Sequence, residues 1–137
     1  MTSPAFPLVH ALVPPPDPVR VCEALERLPY RVFLDSATQS ARLGQYSFLT
    51  ADPVAVVRSS HGRTEWHTDA GVHTDLEARP LDLVRQWMAP FAAAPLARLP
   101  PFRGGAAGYI GYDFGRTLDA FPAARYNDLA LPDLVLG

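Results

Sequence analysis

The sequence predicts an α+β fold, an antiparallel β-sheet with two or more packed helices. Three observations carry this expectation. Two segments, about 18–28 and 80–88, repeat apolar residues at helical spacing and are bounded by prolines. Between them, short apolar runs alternate with turn signals, and His61-Gly62-Arg63 reads as a hairpin turn. Beyond them, Pro101 to Asp119 sets five of the chain's nine glycines among Tyr109, Tyr112 and Phe114. Such a block lets backbone approach a neighbour closely while flat side chains fill the space around it, as a packing joint or as a binding wall.

Residues 6–13 read as a first strand, closed by Pro14-Pro15-Pro16, which cannot continue a ladder. In the helix that follows, Asp17 is the N-cap and Pro18 takes the first helical position. Val19, Cys22, Leu25 and Leu28 then form an apolar stripe until Pro29 stops it. Strands are expected over residues 31–35, 45–50 and 54–60, with Gly44 and Pro53 as punctuation. Residues 63–68 and 71–74 continue the meander, and their polarity puts them at an edge or on a solvated face.

Pro80 opens the second helix, with Leu81, Val84, Trp87 and Met88 on one side and Pro90 ending it; residues 89–102 form a proline- and alanine-rich connector. In the glycine block, a helix would carry glycines 104, 108, 111 and 115 on one face, but each interior glycine costs about 1 kcal/mol. A strand over 104–110 that turns at 111–113 into a short helix or irregular turn is the cheaper solution. Residues 129–136 read as a last strand containing Pro132, and a chain halting there leaves a ladder partner missing.

At 137 residues the chain is expected to form one domain that buries about two-thirds of its unfolded surface. A net charge of −2 offers no electrostatic footprint for nucleic acid or an anionic membrane, so neither is expected as a partner. All twelve basic residues are arginines, which removes Schiff-base and P-loop lysine chemistry from this chain. Cys22 is the sole cysteine, read as a small buried hydrophobe; with no secretory leader pattern and no run of 18 apolar residues, a cytoplasmic setting is expected.

No self-sufficient active site assembles. Histidines 61, 67 and 73 recur at six-residue spacing and could converge on a metal across hairpin strands, but no carboxylate stands in a recognised metal spacing with them, and solvated surface histidines are the favoured reading. Asp35 beside Ser36 and Asp52 before Pro53 are possible acid–base groups that equally suit strand-end turns. Ser36 lies outside any nucleophile-elbow pattern, and the spacing in Gly104-Gly105-Ala106-Ala107-Gly108 is not a dinucleotide fingerprint.

Three stretches, taken in order, resemble the N-terminal region of the chorismate-utilising amination enzymes, the anthranilate synthase component I family. They are Val32-Phe33-Leu34-Asp35-Ser36-Ala37 with Gly44-Gln45-Tyr46-Ser47-Phe48-Leu49-Thr50-Ala51-Asp52-Pro53, then the block from Phe102 to Asp113, then Leu131-Pro132-Asp133. The resemblance spans about residues 30–137. Within the family, Gly111-Tyr112-Asp113-Phe114-Gly115-Arg116 followed by Phe121-Pro122 is most similar to the aminodeoxychorismate synthase branch, with the anthranilate synthase branch as the alternative.

The resemblance implies half of a sandwich of two antiparallel sheets with helices, and a surface for a glutamine amidotransferase subunit that supplies ammonia. It implies that the magnesium and chorismate ligands belong to the family's own C-terminal catalytic domain, so that this chain carries no cofactor and is inactive alone. It also implies part of a pocket for L-tryptophan, built from Asp35, Ser36, Gly44, Gln45 and Tyr46, with Ser36 bonding the polar end of the ligand and Tyr46 stacking on the indole. The family often has glutamate where Asp35 stands and arginine where Gln45 stands, departures that weaken the expected hold on tryptophan. A reading from another class is a free-standing, non-enzymatic module that binds an aromatic amino acid or a partner.

Overall fold

The computed structural model describes residues 8–36, 38, 40, 43–76, 79–92, 99–120, 122, 125, 126 and 128–137. The fold is α+β, with two antiparallel sheets and a few helices. The chain forms two compact units, one of Met1–Pro53 with Pro90–Gly105 and the other of Val54–Ala89 with Ala106–Gly137.

In the first unit, helix α1 (Pro18–Ala24) begins as its residues dictate: the Asp17 carboxylate accepts from the Arg20 amide at 3.0 Å, and proline follows the cap. It ends sooner than the apolar stripe suggests. After Ala24 the chain tightens into three-residue bonds, Glu26 amide to Glu23 carbonyl and Leu28 amide to Leu25 carbonyl, because Pro29 bars helical backbone before it. The Arg31 guanidinium donates to the Cys22 carbonyl at 2.6 Å, placing a cation on the helix C-terminus. Cys22 is partly exposed, a correction to its expected burial, since α1 buries none of its residues.

Residues 8–13 form no strand, with Leu8 fully exposed and no pairing partner among the described residues, and residues 6 and 7 of that expected strand lie outside the described residues. Strands β1 (Val32–Leu34) and β2 (Phe48–Thr50) pair antiparallel, each shorter than its apolar run. Asp52 turns the chain with φ 52° and donates its amide to the Pro29 carbonyl at 2.9 Å, in keeping with the turn reading of that residue.

The second unit holds a five-stranded antiparallel sheet in the order β5-β4-β3-β7-β6. Its strands are β3 (Ala55–Ser60), β4 (Arg63–Thr68), β5 (Gly71–Asp75), β6 (Gly108–Ile110) and β7 (Leu134–Leu136). The β3–β4 hairpin turns on His61 and Gly62, both at positive φ, the two-residue loop whose twist matches that of the strands. Polarity misplaces β4: it lies inside the sheet between β3 and β5, and Thr64 is buried on it.

Strand β7 corrects the expectation of a missing partner, because β3 flanks it on one side and β6 on the other. It is shorter than residues 129–136. Ala130 sits at φ 44° and Pro132 lacks an N–H, so the backbone bonds to the neighbouring strands start at Asp133 and the strand proper at Leu134. The glycine block likewise pairs over fewer residues than 104–110. Gly104 and Gly105 leave the extended region, and the ladder starts where Ala107 and Gly137 exchange both backbone bonds at 2.9 Å. At Gly108 a Cβ would run into the Val135 carbonyl oxygen, so the close approach expected of this block occurs here.

Register puts Val57, Trp66, Leu134 and Leu136 on one face, where Phe114 and Val84 complete the core. Val84 comes from helix α2 (Pro80–Met88), which packs on β3, and Phe114 from the 3₁₀ turn Tyr112–Thr117. Asp133 joins three elements. Its amide donates to the Ser59 carbonyl (2.8 Å), its carbonyl accepts from the Gly111 amide (2.7 Å), and its carboxylate accepts from the His61 amide (3.0 Å).

Leu134, with no exposed surface, is expected to cost about 2–5 kcal/mol on substitution by alanine. Asp133→Ala, which leaves the hairpin amide of His61 without its charged acceptor, is expected to cost about 1–3 kcal/mol. Urea unfolding of both variants checks this; midpoints unchanged from the parent chain would show that β7 is not the centre of the sheet.

Candidate functional site

The residues singled out in the first unit converge around the β1–β2 connection. Asp35 follows β1, and its carboxylate accepts a 2.6 Å bond from the Ser47 hydroxyl, just before β2. Ser36 lies beside Gly44: a Cβ on Gly44 would come within 3.1 Å of the Ser36 Cβ and would collide with the Thr38 carbonyl oxygen. Gly44 also stands at φ +68°, so both the conformation and the lack of space call for glycine. The adjoining turn is closed by Ser40, whose amide donates to the Leu43 carbonyl at 2.8 Å and whose hydroxyl accepts from the Leu43 amide at 2.9 Å.

Tyr46 stands at the head of an aromatic chain. Its ring is 5.9 Å from that of Phe48 at a tilt of 36°, and Phe48 meets Phe102 edge-on at 5.7 Å. Asp35, Ser36, Gln45 and Tyr46 are exposed and Gly44 is half-buried, so a carboxylate, hydroxyls and an aromatic ring are accessible around the β1–β2 connection. An exposed carboxylate can accept from a ligand's ammonium, and an exposed aromatic ring can lie against a flat ligand group. Sequence reasoning did not assign Phe48 and Phe102 to this group. Their signal lay in the quoted motifs themselves, but only pairing of β1 with β2 shows which of them touch.

A second concave region lies in the other unit, a cleft of about 440 Å³ bordered by Tyr109, Tyr112, Tyr126, Leu129 and Leu131, with Asp113, Asp128 and Asp133 on its walls. The glycine block therefore serves two ends. Phe114 is core, whereas Tyr112 is 92% exposed and Tyr109 42%. Asp113 holds Arg116 at 2.7 Å across one turn of the 3₁₀ segment.

The three histidines do not converge. His67 pairs with Val72 and His73 with Trp66, which puts the two rings on opposite faces of the sheet, and His61 is in the hairpin turn. His73 stacks on Trp66 at 5.4 Å, and His67 lies 3.5 Å from Glu65, which also holds Arg63 at 2.8 Å. Among the described residues no three His, Cys, Asp or Glu side chains group to hold a metal ion, so magnesium finds no fitting ligand set there. No described helix is long and apolar enough to cross a membrane.

Known proteins that resemble the chain are synthase components. It is 29% identical over 116 residues to anthranilate synthase component 1 of Acetivibrio thermocellus, a match covering 85% of this chain and 24% of that protein. It is 33% identical over 97 residues to aminodeoxychorismate synthase component 1 of Bacillus subtilis, covering 70% and 20%. With the Salmonella typhimurium aminodeoxychorismate synthase component 1 it shares 31% over 115 residues, covering 82% and 25%. No protein-family model matches it. The chain belongs to the family that holds these two component 1 synthases, and its match is consistent with that family's N-terminal domain. It spans a fifth to a quarter of the length of these relatives.

Gly44→Ala is expected to lower the unfolding free energy by about 2 kcal/mol or more, because it combines a left-handed conformation with a backbone collision. It should also disturb the Asp35–Ser47 bond next to it. Thermal unfolding checks the first effect; a fully stable alanine variant would mean that the turn does not hold this geometry.

Proposed function

We propose that this chain is the N-terminal domain of an aminodeoxychorismate synthase component I, whose full-length form adds ammonia from a glutamine amidotransferase subunit to chorismate for p-aminobenzoate and folate synthesis. The observation that carries the reading is the juxtaposition of Asp35-Ser36 with Gly44-Gln45-Tyr46-Ser47, two separate motifs of the resemblance that the Asp35–Ser47 bond and the Ser36–Gly44 approach bring side by side. Relatives named aminodeoxychorismate synthase component 1 at 31% and 33% identity support this branch. A match of 116 residues to an anthranilate synthase component 1 keeps tryptophan synthesis as the second reading.

In this reading the present chain supplies scaffold and ligand surface rather than chemistry. Chorismate and magnesium are held by the remainder of the longer protein, and the chain alone is inactive. The Asp35–Tyr46 surface is one wall for L-tryptophan: the Asp35 carboxylate faces the ligand ammonium, the Ser36 hydroxyl bonds its polar end, and Tyr46 lies against the indole. In the protein as proposed, this is a cytoplasmic subunit partnered by its amidotransferase.

The full-length protein, given chorismate, ammonia and magnesium, is expected to form 4-amino-4-deoxychorismate, and the 137-residue chain to form none. Anthranilate as the sole product, recognised by its fluorescence, would move the assignment to the second reading. Titration calorimetry of the full-length protein with L-tryptophan should show saturable binding that falls about tenfold or more in Tyr46→Ala, the loss of one stacking face; equal affinity in both would remove Tyr46 from the pocket.

A further inference from the structure

Among the described residues nothing pairs with the outer edge of β6, which is a template for another strand. In an antiparallel pair the residues alternate between those bonded to the partner and those whose backbone groups point away from it. Ala107 exchanges both bonds with Gly137, and the Gly111 amide donates to the Asp133 carbonyl. Ala107, Tyr109 and Gly111 therefore face β7, and the amides and carbonyls of Gly108 and Ile110 face outward. β6 is the last strand of its sheet, and no described residue accepts from or donates to those outward groups. Tyr109 is 42% and Ile110 52% exposed, and the cleft beside them brings Tyr112, Leu129 and Leu131 to the surface as well.

Exposed edges are ordinarily blunted by charge, proline or a bulge, and residues 108–110 carry none of these. The length of the edge decides what covers it. Two outward-facing residues provide at most four backbone bonds, too few for a separate protein or a second copy, for which a stable interface buries on the order of 1,000 Å² or more. A segment of the same polypeptide needs far less, because covalent linkage supplies an effective concentration in the millimolar range. The relatives that this chain matches are roughly three to four times its length, since 97 matched residues make 20% of one and 115 make 25% of another, against a chain of 137. We infer that β6 is the docking edge for a strand from the remainder of the longer protein, which pairs with Gly108 and Ile110 and covers the Tyr109–Leu131 cleft. This rests on the reading of the chain as one domain of a longer synthase.

Hydrogen exchange at the Gly108 and Ile110 amides, read by mass spectrometry with residue-level fragmentation, tests it in the full-length protein and in the 137-residue chain. The expected result is slowing on the order of a hundredfold or more in the full-length protein relative to the short chain. Ile110→Pro, which removes only an outward N–H, should abolish the slowing at Gly108 while leaving the unfolding midpoint of the short chain nearly unchanged. Equally fast exchange in both proteins overturns the inference. Slow exchange in the short chain that disappears on dilution also overturns it, by giving the edge to a second copy. The two readings fail separately: amination of chorismate with an unprotected edge sinks only the docking, and a protected edge in a protein that makes no aminated chorismate sinks only the assignment.

Discussion

Insertion of β7 between β3 and β6 is the constraint on which the larger sheet depends. Three residues, Leu134 to Leu136, are paired on both sides, and the strand brings together segments about seventy residues apart in the chain. Leu134 fills the centre of the core with no surface left exposed, against Val57 from β3 and Phe114 from the 3₁₀ turn. Asp133 fixes where this insertion starts, because one residue satisfies the backbone of β3, the approach to the 3₁₀ turn and the hairpin at His61. Its carboxylate suits the hairpin because an N–H in a tight turn has no ladder partner and a charged acceptor binds it more strongly than water replaces.

The same constraint explains why the glycine-aromatic block is so particular. Gly108 has no room for a Cβ against the Val135 carbonyl, so β6 can lie next to β7 only with glycine there. The chain then turns at Gly111 and sends Phe114 back under the sheet, leaving Tyr109 and Tyr112 outside. One short stretch therefore builds core, edge and surface in succession. A structural demand and an exposed aromatic surface coexist because alternate residues of a strand face opposite ways.

The motifs that carry the resemblance divide between the two compact units. Asp35, Ser36, the Gly44–Ser47 stretch and Phe102 fall in one, and Tyr109 to Asp133 in the other. The first group makes a polar and aromatic surface, the second the centre and open edge of a sheet. Neither groups three His, Cys, Asp or Glu side chains to hold a metal ion among the described residues.

Local chemistry was legible without coordinates wherever one residue type decides the backbone. Asp17 and Pro18 start α1, Pro80 starts α2, and His61-Gly62 closes a hairpin, since caps, fixed φ and left-handed turns act within a few residues. The nearness of Asp35 to Ser47 and of Ser36 to Gly44 was only implied by resemblance, because contact across a strand pair is set by register. Strand lengths, the interior place of β4 and the double pairing of β7 came from tertiary structure alone. An apolar run shows that a segment can extend, but a strand exists only as far as a neighbour offers backbone groups in register, and that neighbour is chosen by the whole fold.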